Sequence, residues 1–129
     1  MKFIYLFIVA GFLYSCDSNR EPSAPAVTTS PAAINEEGEH LFKINCIQCH
    51  MPAKDFAAPA LAGVEKRWKD KNLLYEFVKN SQAVIKKDKY AADLFEKWKQ
   101  APMLPFDYLS DAEIAAIFEY CNQVGGTSP

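Results

Sequence analysis

The sequence predicts one all-α domain, and three observations point to it. Ser110 followed by Glu113 is a capping box, and Ile114, Ile117, Phe118 and Cys121 then recur at i, i+3, i+4 and i+7, the repeat of a helix with one buried face. No alternating β-branched run marks a clear strand, although residues 77–85 leave helix and strand undecided. Half of the 129 residues are apolar and 13% are aromatic, which is ample for one core.

Residues 1–16 read as an export signal: Lys2 supplies the positive start, and residues 3–13 form an apolar run too short to span a bilayer comfortably. The run closes on Leu13-Tyr14-Ser15-Cys16, which resembles a bacterial lipoprotein box, with Tyr14 bulkier than usual. That resemblance implies a lipid on Cys16 as the new N-terminus. The alternative is ordinary cleavage nearby, with Cys16 discarded or idle. Residues 17–35 contain three prolines and almost no large apolar side chains. They cannot bury enough surface to offset chain entropy, so a flexible tether is expected. The implied location is the bacterial cell envelope, with the domain in the periplasm and the membrane reached through the lipid anchor.

Residues 36–126 form the domain. Helices are expected at 36–46, 73–80, 90–100 and 110–124, with an irregular span from 47 through Gly63. Asp111 favours the positive end of the last helix, and Gly125 and Gly126 stop it. With 14 basic and 16 acidic residues, the net charge of -2 excludes the basic balance of a nucleic-acid binder.

Chemistry concentrates at Cys46-Ile47-Gln48-Cys49-His50, the C-x-x-C-H pattern of covalent haem attachment. On a helical turn, positions i, i+3 and i+4 share a face. Two thiols can then reach the two vinyl groups at one porphyrin edge while the following imidazole turns onto the iron. A redox dithiol needs a βαβ context that is missing here, and a structural zinc site needs four ligands, for which only His40 and Cys121 remain.

The order of motifs across residues 36–126 resembles the small single-haem cytochrome c domains of class I type. Gly38 and Leu41-Phe42 are similar to that family's first helix, whose glycine and aromatic pack on the final helix. Pro59-Ala60-Leu61-Ala62-Gly63 is similar to its proline loop, and Met103-Leu104-Pro105-Phe106 to the loop that delivers an axial methionine. Leu109-Ser110-Asp111 with Glu113-Ile114 is similar to the start of the closing helix. The resemblance implies a helical cytochrome c-like domain around one haem c held by two thioethers to Cys46 and Cys49, with its iron ligated by His50 and Met103. It also implies that Pro59 offers its carbonyl to the other nitrogen of His50.

Two further points favour Met103. Met51 adjoins His50 and cannot easily reach the opposite ring face, and Pro102 and Pro105 flank the Met103 loop. The alternatives keep Met103 as a core residue, with the iron open or bound by His40. A filled His/Met shell implies a one-electron carrier in a respiratory chain, with redox proteins as partners, no small-molecule substrate and no enzymatic activity. An open sixth position would instead imply gas binding or peroxide chemistry.

Among the remaining residues, Trp68 or Trp98 is a candidate indole donor to a haem propionate, and Arg67 a candidate by charge. Lys86-Lys87-Asp88-Lys89 is either a docking patch or a solvated helix end. Cys121 is expected to be a small buried hydrophobe and His40 an exposed residue of the first helix.

Overall fold

Six helices make up the computed structural model, which describes residues 33–126: α1 (Glu36–Asn45), α2 (Val64–Arg67), α3 (Lys71–Lys79), α4 (Ser81–Ile85), α5 (Lys89–Lys97) and α6 (Asp111–Gly125). The described residues contain no strand. The signal, Cys16 and the tether through residue 32 lie outside them. The tether's last residues are bound to the domain: Gln123 Nε2 donates to the Ala33 carbonyl at 3.3 Å, and the Asn35 N–H donates to Gln123 Oε1 at 2.8 Å.

Each long helix starts where a short polar side chain satisfies an otherwise unpaired N–H. Asn35 accepts from Gly38, Asp70 from Asn72 and Asp88 from Ala91, each at 2.8 Å. Asn80 serves twice. Its N–H closes α3 on the Glu76 carbonyl at 2.8 Å, and its side chain accepts from Ala83 N at 3.1 Å to open α4. That cap resolves the ambiguous stretch as a second short helix and also explains the break at residue 80. The Ser110–Glu113 capping box forms as expected, with Ser110 N donating to Glu113 Oε2 at 2.7 Å and Glu113 N to Ser110 Oγ at 3.2 Å. The left-handed Gly126, φ 74°, ends α6.

α6 runs through the core with Ile114, Ile117, Phe118 and Cys121 inward, as the i, i+3, i+4, i+7 repeat requires. α1 crosses it closely at Gly38: a Cβ there would stand 2.0 Å from the Ala116 carbonyl oxygen, so only glycine permits the approach. One turn later Phe42 packs on Tyr120, with ring centroids 5.7 Å apart. Trp68 closes another side of the core against Phe77 and Tyr90, at 5.1 Å from each ring.

One expectation needs correction. The residues after Gly63, for which no element was expected, form the one-turn α2, and α5 ends at Lys97 rather than Gln100. Trp98 caps α5, and the chain then turns through two left-handed residues, Lys99 (φ 56°) and Gln100 (φ 59°). No glycine marks this stop. The Lys86–Lys89 run is a helix end: Asp88 caps α5, Lys87 pairs with Glu76 at 2.5 Å and Lys89 with Asp93 at 2.7 Å.

Candidate functional site

The C-x-x-C-H motif begins where α1 ends. Cys46 is the helix's C-cap, and its carbonyl accepts from both Cys49 N, at 3.1 Å, and His50 N, at 2.9 Å. This single turn sets Cys46, Cys49 and His50 along one cavity. Cys46 and Cys121 are free thiols, as is the exposed Cys49. Burial pushes the Cys46 thiol up to about 11, with the neighbouring Cys49 adding to the shift, so it is a neutral thiol at physiological pH. Cys121, fully buried on α6, is pushed up to about 12, first by burial and then by Cys46. It behaves as the small hydrophobe its helix position suggested. His40 is exposed on α1.

His50 Nδ1 lies 2.7 Å from the Pro59 carbonyl oxygen. A carbonyl only accepts, so Nδ1 carries the proton and Nε2 keeps its lone pair for a metal. Burial holds the His50 pKa below its ordinary value, partly offset by the Pro59 bond, which favours the neutral ring that a ligand must be. The proline loop is well supported. Cys49, Met51 and Pro52 carbonyls accept from Ala58, Leu61 and Ala62 at 2.9, 3.1 and 2.9 Å. Arg67 donates to the Ala60 carbonyl, and to the Ala62 carbonyl at 2.9 Å. Arg67 is thereby committed to the loop backbone, a use its sequence position did not suggest.

The cavity encloses about 1310 Å³ of empty space, including the part open to solvent. Its walls are mainly apolar, with Leu61, Val64, Leu74, Phe77, Leu94, Ile117 and Phe118 among them. Cys46, Cys49, His50, Pro59 and Met103 all line it. Met103 sits in the non-helical stretch after α5, where the buried Ser81 hydroxyl donates to its carbonyl at 3.1 Å. Ser81 escaped the sequence reading, and the Asn80 cap that places it is the signal that would have found it.

Trp98 also lines the cavity, and its indole Nε1 is buried without a hydrogen-bond partner. A buried donor left alone costs about 1–3 kcal/mol, so this side chain calls for an acceptor from whatever fills the cavity. The residues fit haem on three counts: two thiols on one turn, an imidazole with Nε2 free, and apolar walls holding one unpaired donor for an anionic substituent. Among the described residues no three of His, Cys, Asp and Glu gather to hold a metal ion by themselves.

Residues 35–125 match the family model described as Cytochrome c. The fold is similar to that of a cytochrome c from Rhodothermus marinus, at 28% identity over 71% of this chain and 77% of that one, TM-score 0.57. It is also similar to the cytochrome c domain of a Pseudomonas putida protein, at 30% identity over 69% and 88%, TM-score 0.53. An engineered form of the Rhodothermus marinus protein shares the fold at 24% identity over 84% and 89%, TM-score 0.57. No curated protein matches the chain.

Proposed function

The chain belongs to the cytochrome c family, and we propose that it is a one-haem electron carrier of a respiratory chain, in which His50 and Met103 would ligate the iron. The observation that carries this reading is the shared cavity, lined by two free thiols, an imidazole oriented by Pro59, a methionine and the unpaired Trp98 indole. The chemistry haem supplies when bound is a reversible one-electron change at iron. Cys46 and Cys49 would hold the group by thioethers, and His50, its ring fixed by the Pro59 carbonyl, would ligate through Nε2. Met103 would offer a soft thioether, which would favour the ferrous state and compete with oxygen or substrate for the iron. Trp98 would donate its unpaired indole N–H to a propionate, and the apolar walls would exclude water and raise the cost of charge at the iron.

On this reading the partners are redox proteins, and the exposed Cys49 marks the side of the cavity open to them. A lipid on Cys16 holds the domain at a membrane of the bacterial envelope, on the periplasmic side. No helix of the described residues is long and apolar enough to cross a membrane, and the proposal needs none.

The test is the visible spectrum of the mature protein, oxidised and reduced, with and without Met103→Ala. Sharp low-spin bands and a weak far-red ferric band that disappears in the variant, together with a marked fall in potential, are expected. A high-spin spectrum that binds carbon monoxide without denaturation would replace the carrier with an open-site haem protein. A colourless protein from cells equipped for haem attachment would end the assignment.

A further inference from the structure

The peptide unit between Pro59 and Ala60 is gripped at both ends. Its carbonyl faces His50 Nδ1 at 2.7 Å, and its N–H donates to Asp55 Oδ1 at 2.9 Å. We propose that Asp55 is a positioning residue that passes the influence of its carboxylate through this one amide to His50, and so lowers the reduction potential of a haem iron that His50 would ligate. The inference deepens the electron-carrier reading and rests on it.

The physical steps are short. A carboxylate accepting from an N–H makes a charge-assisted bond, stronger than a neutral one. Drawing the N–H toward the negative oxygen pushes electron density onto the carbonyl of the same amide, because hydrogen bonds in a chain polarise one another. The Pro59 oxygen becomes a better acceptor for the His50 Nδ1 proton. A histidine whose distal N–H is held more strongly is a more basic ligand, and a more basic ligand favours the higher-charged ferric iron.

Loop formation alone accounts poorly for this contact. An aspartate that merely shapes a turn bonds the backbone about two residues on, whereas Asp55 reaches five residues ahead to the one N–H that shares a peptide plane with the ligand's acceptor. The plane is also fixed beyond Ala60, whose own carbonyl is taken by Arg67. That guanidinium pulls on the next peptide unit and leaves the Pro59 carbonyl to the Asp55 side of the chain. Asp55 itself is exposed, so its direct field is screened in salt, while the bonded relay is not.

The test compares the haem-loaded protein with Asp55→Asn and Asp55→Ala. Asparagine keeps an acceptor of the same shape and removes the charge. The expected result for Asp55→Asn is a positive shift of the midpoint potential, an upfield move of the His50 Nδ1 proton resonance in the ferrous protein, and an unchanged melting temperature. The shift should persist in 1 M salt, where the screening length is about 3 Å. An unchanged potential and resonance in Asp55→Asn, with a lower melting temperature in Asp55→Ala, would show a loop residue and overturn the proposal. A shift that vanishes in 1 M salt would overturn it too, by assigning the effect to a through-space charge. The wild-type protein supplies a check that needs no variant. A carboxylate-bonded Ala60 amide resonates at low field and exchanges slowly, and an ordinary, fast-exchanging signal would also overturn the relay. A wild-type spectrum without histidine-ligated haem is a different failure, that of the carrier reading, and is seen before any variant is made.

Discussion

The junction of α1 with α6 and the arc from α4 through α5 to Met103 border the same cavity but are held together in different ways. At the junction the chain completes its own packing: Gly38 lets α1 meet the α6 backbone, Phe42 covers Tyr120, and Cys121 is buried beneath. The arc is built from a five-residue helix, a nine-residue helix and a loop entered through two left-handed residues. Leu94, Phe95, Trp98 and Met103 there face the cavity, so their packing is completed by what occupies it. On the proposed reading the first region is held mainly by contacts between its own side chains, whereas more of the second faces the space a haem would fill. The difference predicts which substitutions should unfold the protein and which should only loosen its ligand.

Gly38→Ala should have the largest effect. The added methyl meets a backbone oxygen that cannot move without displacing α6, so a loss of about 3 kcal/mol is expected, at the upper end of overpacking costs. Denaturant unfolding followed by helical circular dichroism measures it, and the far-red band should survive in the folded fraction. A loss under about 1 kcal/mol would mean that α1 slides freely on α6, which would undo the contrast.

Ser81→Ala tests the other region. Removing the hydroxyl frees the Met103 carbonyl from α4, at a cost of about 1 to 2 kcal/mol. Here the far-red band should fade on heating before the helices melt. Simultaneous loss of both signals would show that the arc and the junction unfold as one unit.

Ser110→Ala returns to the junction with a smaller effect, about 1 kcal/mol for a lost N-cap. The capping box also has a pH signature. Backbone and side-chain hydrogen bonds from Ser110 hold the Glu113 pKa below its ordinary 4.5. A depressed carboxylate contributes stability that is present above its ordinary value and lost as pH falls through the folded one. The Ser110→Ala variant keeps the backbone bond, so the gap from wild type should narrow only in part between pH 7 and pH 3 in paired unfolding curves, and a constant gap would detach Glu113 from the Ser110 hydroxyl.

The same two regions differ in how much their sequence reveals. The α6 side of the junction is legible because its signals are local and periodic, the box at Ser110 and the repeat through Cys121, while Gly38 and Phe42 are legible only through the family resemblance. In the arc the decisive contacts are between residues far apart or carry no pattern. Asn80 acts as both stop and start, and Ser81 reaches Met103 across 22 positions. Around the haem motif, His50 with Pro59 was readable from family resemblance. Asp55 and Arg67 were not, since each acts on a backbone group that no side-chain pattern announces. Lys99 and Gln100 fall in the helix that the sequence predicts because nothing in their side chains favours the left-handed turn they make.

That turn yields the smallest prediction and the sharpest contrast. A left-handed residue other than glycine costs about 1–2 kcal/mol. Gln100→Gly removes that cost at one position and gives back about 0.5–1 kcal/mol through the freer unfolded chain. It also gives up the exposed bonds of Gln100 to Glu96, at 3.1 and 3.2 Å, worth a few tenths of a kcal/mol. The balance is a gain of about 0.5 kcal/mol, or about 3 °C in melting temperature for a domain of this size. Yet the same glycine frees the entry to the Met103 loop, so the far-red band should be lost at a lower temperature than in wild type. Opposite signs for global stability and ligand retention are expected only if the turn's strain serves to hold the methionine. If both fall together, the turn is unstrained and Gln100 is simply part of the packing.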